Sequence, residues 1–290
     1  MRKTLFLDMS LSLQPTPPLV SIVIPTRNEA RNIAACVQAF SAAVAEGWCE
    51  VLVVDNASTD DTAALAAACG ARVFRQGDER SAQRNRGWRE ACGAYVFFLD
   101  ADMRVPAGTL AEIRARLSAA APPDALYVRE IRAGSGWWIR VRNFERSFYD
   151  ATCIDGLRLF RRELLAAVGG YDEALYACED WDLDRRVLAR TDRVALTEGA
   201  ILHDEGRFQL RRHLKKKAYY SGNFHAYLAK WGRDAVTRRQ FGFTYRFLTI
   251  FLEKGKWRRS LRHPLLMLAI WFDRALVGLT YLRQQMRAKT

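Results

Sequence analysis

Ala94-Tyr95-Val96-Phe97-Phe98-Leu99-Asp100-Ala101-Asp102 runs from an apolar, aromatic and β-branched segment straight into two carboxylates one residue apart. The apolar run reads as a strand buried on both faces. A lone carboxylate is costly to bury, so acids at the end of such a strand face a cleft, a metal or a partner. Residues i and i+2 share a face wherever strand geometry continues. Two hard oxygen ligands in that position can serve one Mg²⁺ or Mn²⁺, which takes one or two carboxylates together with substrate phosphates. The competing reading is an acidic loop after a core strand, and Asp-x-Asp alone does not decide between the two.

The flanking chain repeats the pattern. Ser21-Ile22-Val23-Ile24-Pro25-Thr26-Arg27-Asn28-Glu29 is an apolar strand that breaks at a proline and enters a helical segment carrying Ile33, Val37 and Phe40. Val51-Leu52-Val53-Val54-Asp55 is a second strand ending in Asp, and Thr59 or Asp60 is placed to cap a helix from about Thr62 to Ala68. Arg72–Arg75 reads as a short third strand, and a helix opening near Ser81 leads back into the Asp-x-Asp strand. Strands alternating with helices at this spacing predict an α/β fold with a mostly parallel sheet flanked by helices. Ligands of open α/β sheets bind beyond the carboxyl ends of the strands, where Asp55, Asp100 and Asp102 fall.

Five segments in order resemble a family 2 glycosyltransferase of the GT-A type. They are Ser21–Glu29, Val51–Asp60, Arg84-Asn85-Arg86-Gly87, Asp100-Ala101-Asp102, and Gly169-Gly170-Tyr171-Asp172-Glu173 followed by Glu179-Asp180-Trp181-Asp182-Leu183. The resemblance covers roughly residues 18 to 205. It implies a Rossmann-like GT-A domain that moves a sugar, with inversion, from a nucleotide-diphosphate donor; a UDP-sugar is the first expectation. It implies a divalent cation, Mn²⁺ or Mg²⁺, on Asp102 with Asp100 and His203. It makes Asp180 the base that takes the acceptor's proton, with Glu179 the second candidate. Pro25, Thr26, Asn28, Glu29, Asp55, Arg84 and Asp100 match donor-binding positions, Asn85 and Gly87 hold a turn beside Arg84, and Arg27 stands where the family varies. Trp181 is a candidate wall for the acceptor sugar. Each position has a plainer reading. Glu179 and Asp180 sit where acids favour the start of a helix over Trp181–Arg190. His203 ends an apolar strand from Val194 to Leu202, and Trp181 could be ordinary core.

The charge is unevenly spread. The whole chain is +13, and residues 206–290 hold 20 Lys and Arg against the three acids Asp234, Glu253 and Asp273. That surplus of 17 leaves the first 205 residues at −4. Arg211-Arg212-His213-Leu214-Lys215-Lys216-Lys217 and Arg258-Arg259-Ser260-Leu261-Arg262 lie beside aromatic and aliphatic runs, a composition suited to an anionic membrane surface. No nucleic-acid motif accompanies them, and no nucleic-acid partner is expected. A solvated basic bundle is the plainer alternative. Pro264–Leu282 is the best candidate for a membrane span, but Asp273 and Arg274 sit at its centre, where each charge costs about 2.5–3.5 kcal/mol. An interfacial or packed helix is expected instead. Near the start, Arg2-Lys3 and Leu5-Phe6-Leu7 imitate a signal peptide that Asp8 interrupts. Six scattered cysteines without a CxxC pair point to reduced thiols.

The expected organisation is a lead-in over 1–17, a GT-A domain over 18–206 and a basic helical extension over 207–290. The acceptor is expected to be a glycan, plausibly lipid-linked or otherwise membrane-borne. The protein would then be cytoplasmic and peripheral on the inner face of the cell membrane. Two other classes remain open on sequence. A nucleotidyltransferase would also use Asp-x-Asp and a metal, but does not call for Glu179-Asp180 behind Gly169-Gly170. A non-catalytic membrane or nucleic-acid binder would have no use for the acids.

Overall fold

The computed structural model describes residues 17–287, apart from 78, 205 and 207. The Arg2–Asp8 segment and all but the last residue of the 1–17 lead-in lie outside the described residues.

β1 (Val20–Thr26) is buried along its whole length, as a largely apolar strand covered on both faces is. α1 (Ile33–Gln38) and α2 (Ser41–Ala45) carry the chain to β2 (Cys49–Asp55). β2 lies parallel to β1, with Thr26 opposite Asp55. α3 (Thr62–Ala68), β3 (Arg72–Arg75), α4 (Arg80–Glu90) and β4 (Tyr95–Phe98) follow. β4 lies on the other side of β1, with Val23 opposite Phe98. The ends of these strands therefore meet at one edge, where Thr26, Asp55 and Asp100 gather.

The rest of the sheet departs from the parallel expectation. β5 (Met103–Arg104), α5 (Ala107–Leu117), β6 (Ala125–Arg132), α6 (Trp137–Arg146), β7 (Leu157–Arg161), α7 (Arg162–Val168), α8 (Glu179–Leu188) and β8 (Val194–His203) complete one eight-stranded sheet. Its order is β3-β2-β1-β4-β7-β6-β8-β5. β7 runs antiparallel to both β4 and β6, so the sheet is mixed rather than mostly parallel in this half. β8 returns parallel to β6 and antiparallel to β5, with His203 opposite Met103. That register, which strand spacing alone does not disclose, sets His203 beside Asp102.

Alternate residues of the central strands feed the two faces. Ile22, Ile24, Val51, Val53 and Phe97 join one cluster, and Val23, Leu52, Val54, Val96 and Phe98 join the other. α4 packs against β1 so closely that a Cβ on Gly87 would stand 2.2 Å from Val23 Cγ1. Arg84-Asn85-Arg86-Gly87 is therefore interior to a helix and not a turn; Gly87 is needed for helix–strand approach. Gly87→Ala should lower unfolding free energy by about 1–3 kcal/mol through overpacking. Denaturant titration measures this, and an unchanged midpoint would contradict it.

The basic segment forms α9 (Leu210–Ser221), α10 (Phe224–Trp231), α11 (Ala235–Phe241), α12 (Ile250–Leu252), α13 (Trp257–Arg262) and α14 (Pro264–Arg287). A third cluster joins these helices to α6: Val141 and Phe148 pack with Tyr245, Phe251, Leu266, Met267 and Ile270. The charges in the middle of α14 are spent inside the protein. Asp273 lies 3.9 Å from Arg142 and 3.3 Å from His213. Arg274 Nε donates to Glu145 Oε1 at 3.0 Å, and its Nη2 to the Tyr149 hydroxyl at 2.6 Å. Among the described residues no helix is long and apolar enough to cross a membrane.

Candidate active site

The loop after β1 is clamped to the loop after β2. Asn28 adopts a left-handed backbone, φ 55°. Its N–H donates to Ser58 Oγ, and its Oδ1 accepts from Thr59 N, both at 2.8 Å. Glu29 N donates to Thr62 Oγ1 at 2.8 Å. Asp55 underlies this clamp. It accepts from the backbone N–H and hydroxyl of Ser58 and is only 2% exposed. Asp55 is thus a support beneath the loop; its carboxylate has little free surface.

Pro25, Thr26, Asn28, Glu29, Asp100, Asp102 and His203 line one cleft of about 630 Å³. Arg27, Arg31, Arg80, Arg132, Arg142, Arg212 and Lys216 line it too. Cations thus surround a floor of strand-end carboxylates, an arrangement suited to a polyanion such as a diphosphate. α6 and α9 supply Arg142, Arg212 and Lys216, so the basic extension completes the wall of the site.

The Asp-x-Asp segment does not continue β4. Met103 N donates to Asp100 O at 3.0 Å, which closes a turn. The two acids then take different partners. Asp102 Oδ2 lies 3.2 Å from His203 Nε2, and Glu130 Oε1 lies 2.9 Å from His203 Nδ1. Burial alone would lower the imidazole's pKa, but Asp102 and Glu130 outweigh it and push it up to about 9. Burial likewise opposes ionisation of Glu130, yet His203 and Arg158 hold that carboxyl well below its ordinary range.

The remaining capacity of Asp102 bears on metal binding. Its Oδ1 is buried with no hydrogen-bond partner. Among the described residues no group of three or more His, Cys, Asp and Glu is gathered to hold a metal ion. Mg²⁺ and Mn²⁺ need fewer protein ligands when phosphate oxygens and water complete the shell. Asp102, with an unused oxygen, fits that requirement, and His203, oriented from behind by Glu130, fits it once Nε2 gives its proton up to the incoming cation.

Arg84 couples the strand end to α8. This side chain is 3% exposed. Its Nη2 donates to Asp100 Oδ1 at 3.4 Å, and its Nη1 to Asp180 Oδ1 at 3.0 Å and Glu179 Oε1 at 3.5 Å. Burial would raise the Asp100 pKa, but Arg80 and Arg84 together hold it well below the usual range. Asp180 and Arg84 also line a small cavity of about 30 Å³ with Asp155, Arg158 and Tyr171. Glu179 and Asp180 belong to the first turn of α8, but the N-cap is Cys178 and no side chain caps the helix.

Glu179 is pushed up to about 7 by burial and by the neighbouring Asp180 charge, against the pull of Arg84. Its folded pKa is above its ordinary value, so its stabilising contribution is complete below about pH 4.5 and is lost as pH rises through about 7. Glu179→Gln should therefore gain stability over the parent as pH rises from 5 to 8, measured by thermal unfolding without donor. A difference that does not change with pH would contradict this.

Trp181 turns away from the cleft. Its ring meets Tyr227 at 6.2 Å and Phe241 at 5.7 Å, both edge-on, so its indole packs α8 against α10 and α11. Trp181 thus stands among the partly buried residues packed against the third cluster and does not line the cleft. Sequence reasoning missed the cations of the wall, Arg80 among them, and beside these Gln83, Glu130 and Arg158. Gln83 Nε2 donates to Thr26 O at 3.0 Å and Val54 O at 2.7 Å and so ties the ends of β1 and β2 together. A signal existed for Glu130: it lies within Ala125–Arg132, a strand-like run whose apolar half gives way to charges.

The model of the glycosyl transferase family 2 matches residues 21–169. The PGL/p-HBAD biosynthesis glycosyltransferase of Mycobacterium bovis is 29% identical over 178 residues, covering 58% of this chain and 69% of that protein. The mannosyltransferase PcManGT from Pyrobaculum calidifontis, solved in complex with GDP-Man and Mn²⁺, superposes with a TM-score of 0.60 at 20% identity. That match covers 94% of this chain and 84% of the other. S. aureus TarS superposes with a TM-score of 0.56 at 19% identity over 90% of this chain, which spans 54% of the TarS chain. A shorter form, TarS 1–349, was solved in complex with UDP-GlcNAc. The structural likenesses carry the fold. The family match spans about half of the chain, takes in the loop after β1, Arg84 and the Asp-x-Asp segment, and ends before Glu179, Asp180 and His203. The protein therefore belongs to the glycosyl transferase family 2 and is a glycosyltransferase of GT-A fold.

Proposed function

We propose that the protein is a metal-dependent, inverting glycosyltransferase that moves a sugar from a nucleotide-diphosphate donor, a UDP-sugar first among them, to an acceptor hydroxyl. The observation that carries this reading is the shared cleft: the loop Pro25–Glu29, the acids Asp100 and Asp102, and His203 face a ring of arginines and lysine. Residues 18–206 act as the catalytic domain, and 207–290 form a basic extension that closes one wall.

Asp102 and His203 would hold Mn²⁺ or Mg²⁺, with Asp100 nearby. The cation, when bound, supplies charge neutralisation at the leaving diphosphate. The chain's own residues do the rest. Pro25, Thr26, Asn28 and Glu29 line the nucleotide side, and Asp55 keeps their loop rigid. The arginines of the wall bind phosphate oxygens. Asp180 takes the acceptor's proton on the opposite face of the sugar. Glu179, with its pKa close to neutrality, is the second group suited to that task. Arg84 orients Asp180 and senses Asp100 at its other end, so donor side and base are set by one guanidinium. A transition state of oxocarbenium character is expected by analogy with glycoside hydrolysis.

The acceptor we propose is a glycan or a lipid-linked sugar presented at a membrane. The enzyme would work as a cytoplasmic, peripheral protein on its inner, anionic face. Calorimetric titration with a panel of nucleotides, with and without Mn²⁺, tests the donor reading. Tight binding of UDP only with Mn²⁺ is the expected result. Equal binding of every nucleotide without dependence on the cation would contradict it.

A further inference from the structure

α14 is built inside out. Its central charges, Asp273 and Arg274, are buried against α6 and α9, with exposures of 5% and 8%. Its solvent side instead carries Leu265, Leu268, Phe272, Ala275 and Leu279. The four large residues of that stripe are 68%, 58%, 57% and 53% exposed. The spacing of three and four residues puts all five on one face, over a length of about 21 Å at 1.5 Å per residue. A continuous outward apolar stripe of this length marks an interaction surface, in contrast to scattered exposed leucines.

The surrounding charge selects the occupant. Arg258 and Arg262 on α13 lie exposed just ahead of the stripe, and Leu261 between them is 72% exposed. The three acids of residues 206–290 are already engaged: Asp234 with Arg185, Glu253 with Arg239 and Lys256, and Asp273 with Arg142 and His213. A second copy of the chain would bring a like basic surface against this one, with no acid of the segment left to meet it. An anionic lipid surface offers both things the face lacks, an apolar layer for the stripe and negative headgroups for the arginines.

We infer that the outward face of α14, with the basic tip of α13, docks the enzyme flat on an anionic bilayer. This rests on the membrane-facing reading above and gives it an address. α9, which packs on α14, also carries Arg212 and Lys216 into the cleft wall, so docking here sets the cleft beside the lipid. The basic run Arg211–Lys217 is therefore a poor place to probe the membrane, since its substitution also alters the site.

The test uses the full chain and co-sedimentation with vesicles, either of phosphatidylcholine or of equal parts phosphatidylcholine and phosphatidylglycerol. The parent should bind the mixed vesicles, weaken with salt and keep a residual affinity at high salt. The double variant Leu268→Asp, Phe272→Asp should lose at least about tenfold in partitioning. Arg258→Glu with Arg262→Glu should lose mainly the salt-sensitive part. Donor hydrolysis without vesicles should stay at the parental level in both, which also reports that they are folded. Equal binding by parent and Leu268/Phe272 variant would overturn this face while leaving the membrane reading standing. No binding by the parent would remove both. A parent that is dimeric and becomes monomeric in the Leu268/Phe272 variant, with no vesicle binding, would assign the stripe to a second copy instead.

Discussion

Asp180→Asn should leave donor affinity intact and lower turnover by about 10²–10⁴. The substitution is nearly isosteric, and its amide oxygen can still accept from Arg84 Nη1, which lies 3.0 Å from the native carboxylate. What it removes is the capacity to take a proton from an incoming hydroxyl. Steady-state kinetics should therefore show the loss in kcat with KM for the donor little changed. Loss of donor affinity with unchanged turnover would mean that Asp180 is a binding residue. The base would then be Glu179, whose carboxyl pKa is pushed up to about 7 by burial and the neighbouring acid, which makes its ionised form a stronger base.

Asp102→Ala should abolish the effect of Mn²⁺ on nucleotide binding and with it sugar transfer. Asp102 faces the cleft, and its Oδ1 has no partner within the protein. His203 would keep its bond to Glu130 at 2.9 Å, so the end of β8 should remain in place and the melting temperature should stay near that of the parent. Calorimetry with UDP, with and without Mn²⁺, separates this from a folding defect. Transfer at the parental rate by this variant in the presence of a chelator would remove Asp102 from the metal assignment.

The first half of the fold was readable because its strands are buried on both faces. Val20–Thr26, Val51–Val54 and Tyr95–Phe98 are continuous apolar runs, and each ends where the chain turns polar. The second half was not, because β6 and β7 mix core residues with charges that point at the site. Arg129, Glu130, Arg132 and Arg158 interrupt the apolar pattern of those two strands. The antiparallel course of β7 is a long-range pairing that local spacing does not encode. The acids of the site could be found as strand ends, but their roles came from tertiary contacts. His203 meets Asp102 only through the β5–β8 register, and Arg84 meets Asp180 across 96 positions of sequence. Trp181 could not be assigned from its neighbours in sequence, since its partners Tyr227 and Phe241 lie in the extension. In α14, Asp273 and Arg274 spoke against a membrane span, yet nothing in the sequence named Arg142, Glu145 and His213 as their partners. Only with those contacts known does the apolar side of the helix become its outward side.

On the proposed reading, this cleft breaks the bond between sugar and diphosphate, with inversion, in a reaction that needs Asp102 and a divalent cation. The direct measurement is incubation of the full chain with a panel of nucleotide-sugars and Mn²⁺, following the products by NMR from the first turnovers. A UDP-sugar should be cleaved to UDP and free sugar, the sugar should first appear as the anomer opposite to the donor's, and Asp102→Ala should do neither. Release of UMP and sugar phosphate, or of sugar with the donor's own anomeric configuration, would contradict it.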